Sequence, residues 1–190
     1  MRPLADLTGK VDAAKYPRMT SDIVALMVLE HQCQAHNLLT AASMNYRRAV
    51  YLAKAVDPDA DPDQEAAGRV ADQAAEQIVD WFLFTGEAEQ GEDGVEGHEE
   101  FQKQFAAAIP RTGEGDSLAD FQLNTRLFKN RCSYMIYSEA FAALPDAVKA
   151  RVIDRLKKIF GSATAEDSHA EIKLPERQRI ARILNETGVW

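Results

Sequence analysis

The sequence predicts an all-α fold, an irregular multi-helix bundle around a long central N-terminal helix. Three observations lead there. Alanine dominates a hydrophobic share of 46%, and β-branched residues are sparse, a mix that favours helix over sheet. Apolar residues recur at helical spacing in successive stretches. Proline and glycine fall where helices begin and end rather than inside them. A chain of 190 residues buries roughly 70% of its unfolded surface and needs no staples. The organisation expected is a single helical domain, 1–190, with an extended lead-in at 1–19 that carries Pro3 and Pro17.

Thr20 and Ser21 are good N-cap residues, and from Asp22 to about Val56 no proline or glycine intervenes. The apolar positions surround most of the first half of this helix, as in a helix central to its bundle. The run DPDADPD at 57–63 breaks it. Asp61 then caps a second helix, Pro62 takes its first position and Gln64 closes a capping box. Ala67, Val70, Ala71, Ala74, Ile78, Trp81 and Phe82 form its apolar face, and it stops near Thr85-Gly86. The Glu- and Gly-rich stretch 87–97 reads as a loop. A short helix follows with Phe101, Phe105 and Ile109 on one face, ended by Pro110. Ser117 is placed to cap a further helical segment with Leu118, Phe121 and Leu123, and the dense apolar block within 126–143 is read as helix. Leu144-Pro145 opens a helix to about Phe160, stopped by Gly161, and Leu174-Pro175 opens the last, ending near Gly188.

The net charge of -8 argues against nucleic acid and acidic lipid as partners, since both select basic surfaces. No apolar run reaches the ~20 residues of a membrane span. Residues 1–20 lack a secretory signal pattern, so a complete chain would be cytoplasmic and an excised one exported. Cys33 and Cys132 sit among apolar neighbours and read as two buried free thiols, with a disulfide as the alternative. They form neither a CxxC redox motif nor a zinc set.

The long helix holds EHQCQAHN at 30–37. Helical spacing places Met27, Glu30, Gln34 and Asn37 along one stripe, with His31 at its edge and His36 pointing away. The two histidines therefore do not share a metal. Neither HExxH nor paired Glu-x-x-His occurs. The stripe is either satisfied by buried hydrogen bonds to neighbouring helices, or it lines a ligand or metal site, or it faces solvent. Asp57, Asp59, Asp61 and Asp63 alternate as in a calcium loop, yet the places needing glycine and glutamate hold Pro62 and Gly68, which leaves a turn and cap. Glu87, Glu89, Glu92, Asp93, Glu96, His98, Glu99 and Glu100 read as a solvated acidic loop. Arg126, Lys129 and Arg131 are expected to pair with it. Ser133 lacks a GxSxG context. The CxxCH of c-type haem is absent, whereas a non-covalent haem needs only an axial His or Met, and Met27 and His31 stand one turn apart.

TSDIVALMVLEHQ at 20–32 and LADFQLNTRLFKNRCSYMIYSEAFAALP at 118–145 resemble the C-terminal region of a group of uncharacterised exported bacterial proteins that often carry c-type haem motifs upstream. The similarity runs from about Pro17 to the end. The resemblance implies a detached C-terminal domain, periplasmic in location, with a protein partner or an upstream haem-bearing region. It brings no assigned catalytic residues. The function expected is a non-catalytic helical accessory domain that packs on such a region and contributes Met27, Glu30, His31, Gln34 and Asn37 to a cofactor pocket, haem being the candidate. The alternatives are a structural or interaction module without cofactor, and a metal-dependent enzyme using Glu30 and His31.

Overall fold

The computed structural model describes residues 6–15, 21–59, 61, 66–88, 90, 94–162 and 169–190. Pro3, Pro17, Thr20, the capping residues Pro62 and Gln64, and Asp63, Glu89, Glu92 and Asp93 lie outside the described residues. The fold is all-helical: α1 Ile23–Val56, α2 Ala66–Phe82, α3 Glu99–Ala107, α4 Glu139–Ala142, α5 Asp146–Gly161 and α6 Leu174–Glu186, with short 3-10 turns at Ala13–Lys15 and Tyr134–Tyr137. Among the described residues β-pairing is limited to isolated bridges such as Phe121 with Phe128.

Asp22, one residue beyond Ser21, is the N-cap of α1. Its Oδ1 accepts from the Val24 and Ala25 amides at 3.0 and 3.3 Å, which satisfies two donors left open at a helix start. The 34-residue helix is about 50 Å long. Its buried residues, Val24, Val28, His31, Ala35, Leu39 and Ala42, follow a single stripe, and the turns from Ser43 onward contribute none. The N-terminal half of α1 is thus the packed half. It lies along α2, which in turn lies along α5, and α5 packs on α6. Small residues of α2, Ala67, Gly68, Ala71, Ala74 and Ala75, are buried and let helix backbones approach closely.

α2 ends slightly before Thr85-Gly86, in a Schellman motif. The Thr85 amide bonds the Asp80 carbonyl at 3.0 Å and the Phe84 amide bonds Trp81 at 3.2 Å. The left-handed position of that motif, where glycine is usual, is Phe84 with φ 56°. An L-residue there costs roughly 1–2 kcal/mol, so the surrounding contacts of the ring hold the backbone in place.

Two expected helices are corrected. Ser117 does not cap a helix, and 117–133 is a run of turns. This segment meets its backbone hydrogen-bonding needs through side chains instead of a helical ladder. Ser117 Oγ donates to Pro110 O, buried Asn130 donates to Ser117 O at 2.7 Å, and Glu176 accepts from the Arg131 amide at 2.9 Å. Asn130 also accepts from Arg179 at 2.6 Å. The block 126–143 becomes the Tyr134–Tyr137 turn and the single-turn α4, capped by Ser133 and Ser138 respectively. Its apolar residues serve the core from several directions, which a regular helix of that length would not permit. The two Leu-Pro starts hold, with Pro145 as the cap of α5 and Pro175 in the first turn of α6. Arg177, almost fully buried, donates to the Ile172 and His169 carbonyls at 2.7 and 3.1 Å and ties the approach to α6.

The start of α1 is locked from outside by the chain entering α3. Asp22 Oδ2 accepts from the His98 amide at 3.1 Å. A Cβ on Gly97 would lie 2.6 Å from Val24 Cγ2 and 2.8 Å from Asp22 Oδ1, so only glycine fits. Asp22→Ala is expected to lose about 1–2 kcal/mol, and Gly97→Ala about 1–3 kcal/mol through overpacking. Urea unfolding checks both. Unchanged midpoints would remove this junction as a stabilising contact.

Candidate functional site

The stripe on α1 divides when it meets the rest of the fold. His31 is 5% exposed, at the edge that enters the core. Met27 is half-buried, while Glu30, Gln34 and Asn37 are exposed. For Glu30, Gln34 and Asn37 the alternative of buried hydrogen bonds is therefore excluded. Helical geometry gives the reason: the buried line of α1 centres on Val24, Val28 and Ala35, and the polar positions lie roughly a quarter-turn or more from it. His36 is exposed, away from His31. Cys33 is exposed as well, against expectation; Cys132 is buried, and both thiols are free.

Leu26, Met27, Glu30 and His31 form one wall of a cavity of about 480 Å³, within the size range of small-molecule sites. The facing wall is Trp81 and the chain from Phe84 to Ala88, with Leu127. Gln34 and Asn37 do not line it, because that facing wall meets α1 only along Leu26–His31. The sequence reading missed the second wall. Its signal was an aromatic cluster, Trp81, Phe82 and Phe84, directly before a helix stop.

His31 is fixed by three kinds of contact. Its Nε2 lies 2.7 Å from Ser133 Oγ. Its ring stacks on Phe84 at 4.8 Å and lies parallel to Trp81 at 5.8 Å. Phe128 and Tyr134 approach at larger tilts. Ser133 also accepts from the Met135 amide at 3.1 Å, and its own amide donates to Phe82 O at 2.8 Å. Beyond His31 the rings continue through Phe128 to Phe121 and Phe105. Burial lowers the His31 pKa to about 4, so the imidazole is neutral at pH 7.

Glu87 sits at the far wall. Burial raises its pKa, opposed by the Leu127 amide, which donates at 3.2 Å, and by Arg126 and Arg131. Those arginines line a separate polar recess of about 260 Å³ that shares Glu87 and Ala88 with the first. The basic cluster does pair with acids, but chiefly outside the acidic loop: Arg126 with Glu176 at 3.0 Å and Lys129 with Asp116 at 3.4 Å. Burial pushes the Cys132 thiol far above its usual range, which leaves it protonated and a poor nucleophile.

Non-covalent haem does not fit His31 as axial ligand. Nε2, the nitrogen that reaches away from the backbone, is bound to Ser133, and the ring face is stacked. Met27 lines the cavity. Among the described residues no three His, Cys, Asp or Glu side chains are grouped to hold a metal ion.

His31 makes stability depend on pH with a definite sign. Its ordinary value is 6.5 and its folded value about 4. Across that window the unfolded chain takes up a proton that the folded chain refuses. Its contribution is therefore intact above pH 6.5 and falls by about 3 kcal/mol as pH drops to 4. Glu87, with a raised pKa, acts in the opposite sense, losing stability as pH rises through its folded value. Urea unfolding from pH 4 to 7.5 should show a shallower acid decline in His31→Gln than in the parent protein; parallel curves would refute the buried neutral imidazole.

Comparison with family models, curated proteins and solved structures finds no match to this chain.

Proposed function

We propose that this chain is a non-catalytic helical accessory domain that packs, through the outer face of α1, on a haem-bearing partner region of an exported, cytochrome-like bacterial protein. The observation that carries the reading is where the exposed apolar surface lies. Leu26, Leu29, Met44, Tyr51, Leu52 and Val56 are all large, apolar and more than half exposed, and all stand on α1. Outside that helix, Leu174 is the comparable residue among those described. Leu26, Leu29, Met44 and Tyr51 fall within about 60° of one another around the helix, opposite its buried line, and exposed apolar residues aligned on one face mark an interaction surface. The cavity opens beside Leu26, at the packed end of the same helix. No helix among the described residues is long and apolar enough to cross a membrane, so a protein partner suits this face better than a bilayer core.

The non-catalytic part of the reading is supported by the state of the nucleophile candidates. Ser133 is fully buried, out of reach of a substrate, and Cys132 is buried and protonated. The bound state of His31 also favours the reading of an interaction module with no cofactor of its own, in which any haem belongs to the partner.

Immobilised protein incubated with periplasmic extract of the source organism should retain a polypeptide that stains for covalent haem. A Leu29→Glu/Met44→Glu variant should lose it by at least roughly tenfold, as expected when charge enters the centre of an interface. Both positions are exposed, so the variant keeps its fold, which circular dichroism verifies. Absence of a haem-stained partner, or equal retention by the variant, would overturn the reading.

A further inference from the structure

The cavity carries a sign of charge that docking on a partner does not require. Its lining includes two carboxylates, Glu30 and Glu87, and neither lysine nor arginine. α2 terminates in its wall, and the last turn of α2 has no basic residue. His31 adds no positive charge, being neutral. Trp81 and Phe84 contribute aromatic rings, and Met27 a polarisable thioether, which suits varied apolar shapes. A recess of this kind favours a guest with one positive head and a hydrocarbon body. The head gains from the carboxylates and the ring quadrupoles, and the body displaces water from Leu26, Leu127 and Trp81.

The neighbouring cations Arg126 and Arg131 line the adjacent recess and partly offset Glu87, whereas the lining of the cavity itself, Glu30 included, holds no lysine or arginine. Arg126 donates to Lys129 O and to Glu176 at 2.6 and 3.0 Å, and with Arg131 it lines the adjacent polar recess. An anionic guest in the main cavity would instead meet Glu30 and Glu87 with no lysine or arginine in the lining. A bare metal ion is disfavoured by the apolar wall and by the lack of a third grouped ligand among the described residues.

We propose that the cavity binds an organic ammonium cation with a small apolar body, its head between Glu30 and Glu87 and its body against Trp81 and Phe84. The inference rests on the lining of this cavity and not on the haem-bearing partner. The same chemistry is presented by a free alkylamine and by a lysine side chain of a partner protein.

The test uses the full chain carrying Trp190→Phe, so that Trp81 alone reports by fluorescence, with calorimetry alongside. Hexyltrimethylammonium, hexan-1-ol and hexanoate are titrated at low salt. The cation should bind at least about tenfold tighter than the alcohol, equivalent to about 1.4 kcal/mol, and hexanoate should give no saturable signal. Glu30→Gln and Glu87→Gln should each weaken the cation severalfold and leave the alcohol unchanged; Glu30 is exposed, so that variant keeps its fold. Equal binding of cation and alcohol, or full cation affinity in the double variant, would overturn the proposal. Nα-acetyl-lysine methylamide separates the two sources: parity with the alkyl cation assigns the head to a protein side chain, and clearly weaker binding assigns it to a free amine. Loss of haem-protein capture with cation binding intact sinks the docking reading alone, and the converse sinks this one alone.

Discussion

Ser133 is the point on which the site depends. Its hydroxyl holds His31 of α1, its amide holds the last carbonyl of α2 at Phe82, and its oxygen caps the turn that begins at Tyr134. Three segments far apart in sequence are joined by one small residue, through its hydroxyl and its main-chain amide. A buried hydroxyl or imidazole without a partner loses the solvation that water gave it, so each of these groups requires the others. The packing of α1 on α2 by alanines tolerates sliding. A directional bond between His31 and Ser133 does not, and it fixes the axial register of the two helices at the level of the cavity.

The aromatic cluster around that bond settles the electrostatics. Trp81, Phe84, Phe128 and Tyr134 exclude water from the imidazole and keep it uncharged. The left-handed backbone of Phe84 is part of the same arrangement: the chain accepts strain there and places a ring against His31. Residues held in sparsely populated conformations concentrate where geometry matters to function. Phe84 stands in the cavity wall, and the reversal it makes brings Glu87 round to face α1.

Much of the helical frame was legible because its signals are local. Gly161 and Pro175 mark ends, and the alanines of α2 keep helical spacing. Residues 118–133 were illegible for the opposite reason. Their conformation is held by Asn130, Arg179 and Glu176, partners from other parts of the chain. Half of the site could be read, since Met27, Glu30 and His31 share one helix face. Trp81, Phe84 and Glu87 form the other half, and no periodicity relates them to α1. Gln34 and Asn37 shared the spacing of the stripe but stand outside the cavity, because spacing gives direction around a helix and not the length along it that a neighbour covers. Cys33 shows the same limit: apolar neighbours in sequence did not make it an inward position.

The unequal embedding of α1 has a consequence for how the molecule breathes. One continuous hydrogen-bonded cylinder begins inside the core and continues past Ala42 with no buried residue of its own. Tertiary contacts, more than propensity, sustain most helices in proteins. Amide protons in the first half should therefore exchange only when the whole fold opens, while those in the last turns escape through fraying that the core does not feel. The helix is thus two thermodynamic units in one covalent rod, anchored at one end and free to order the other against whatever it meets.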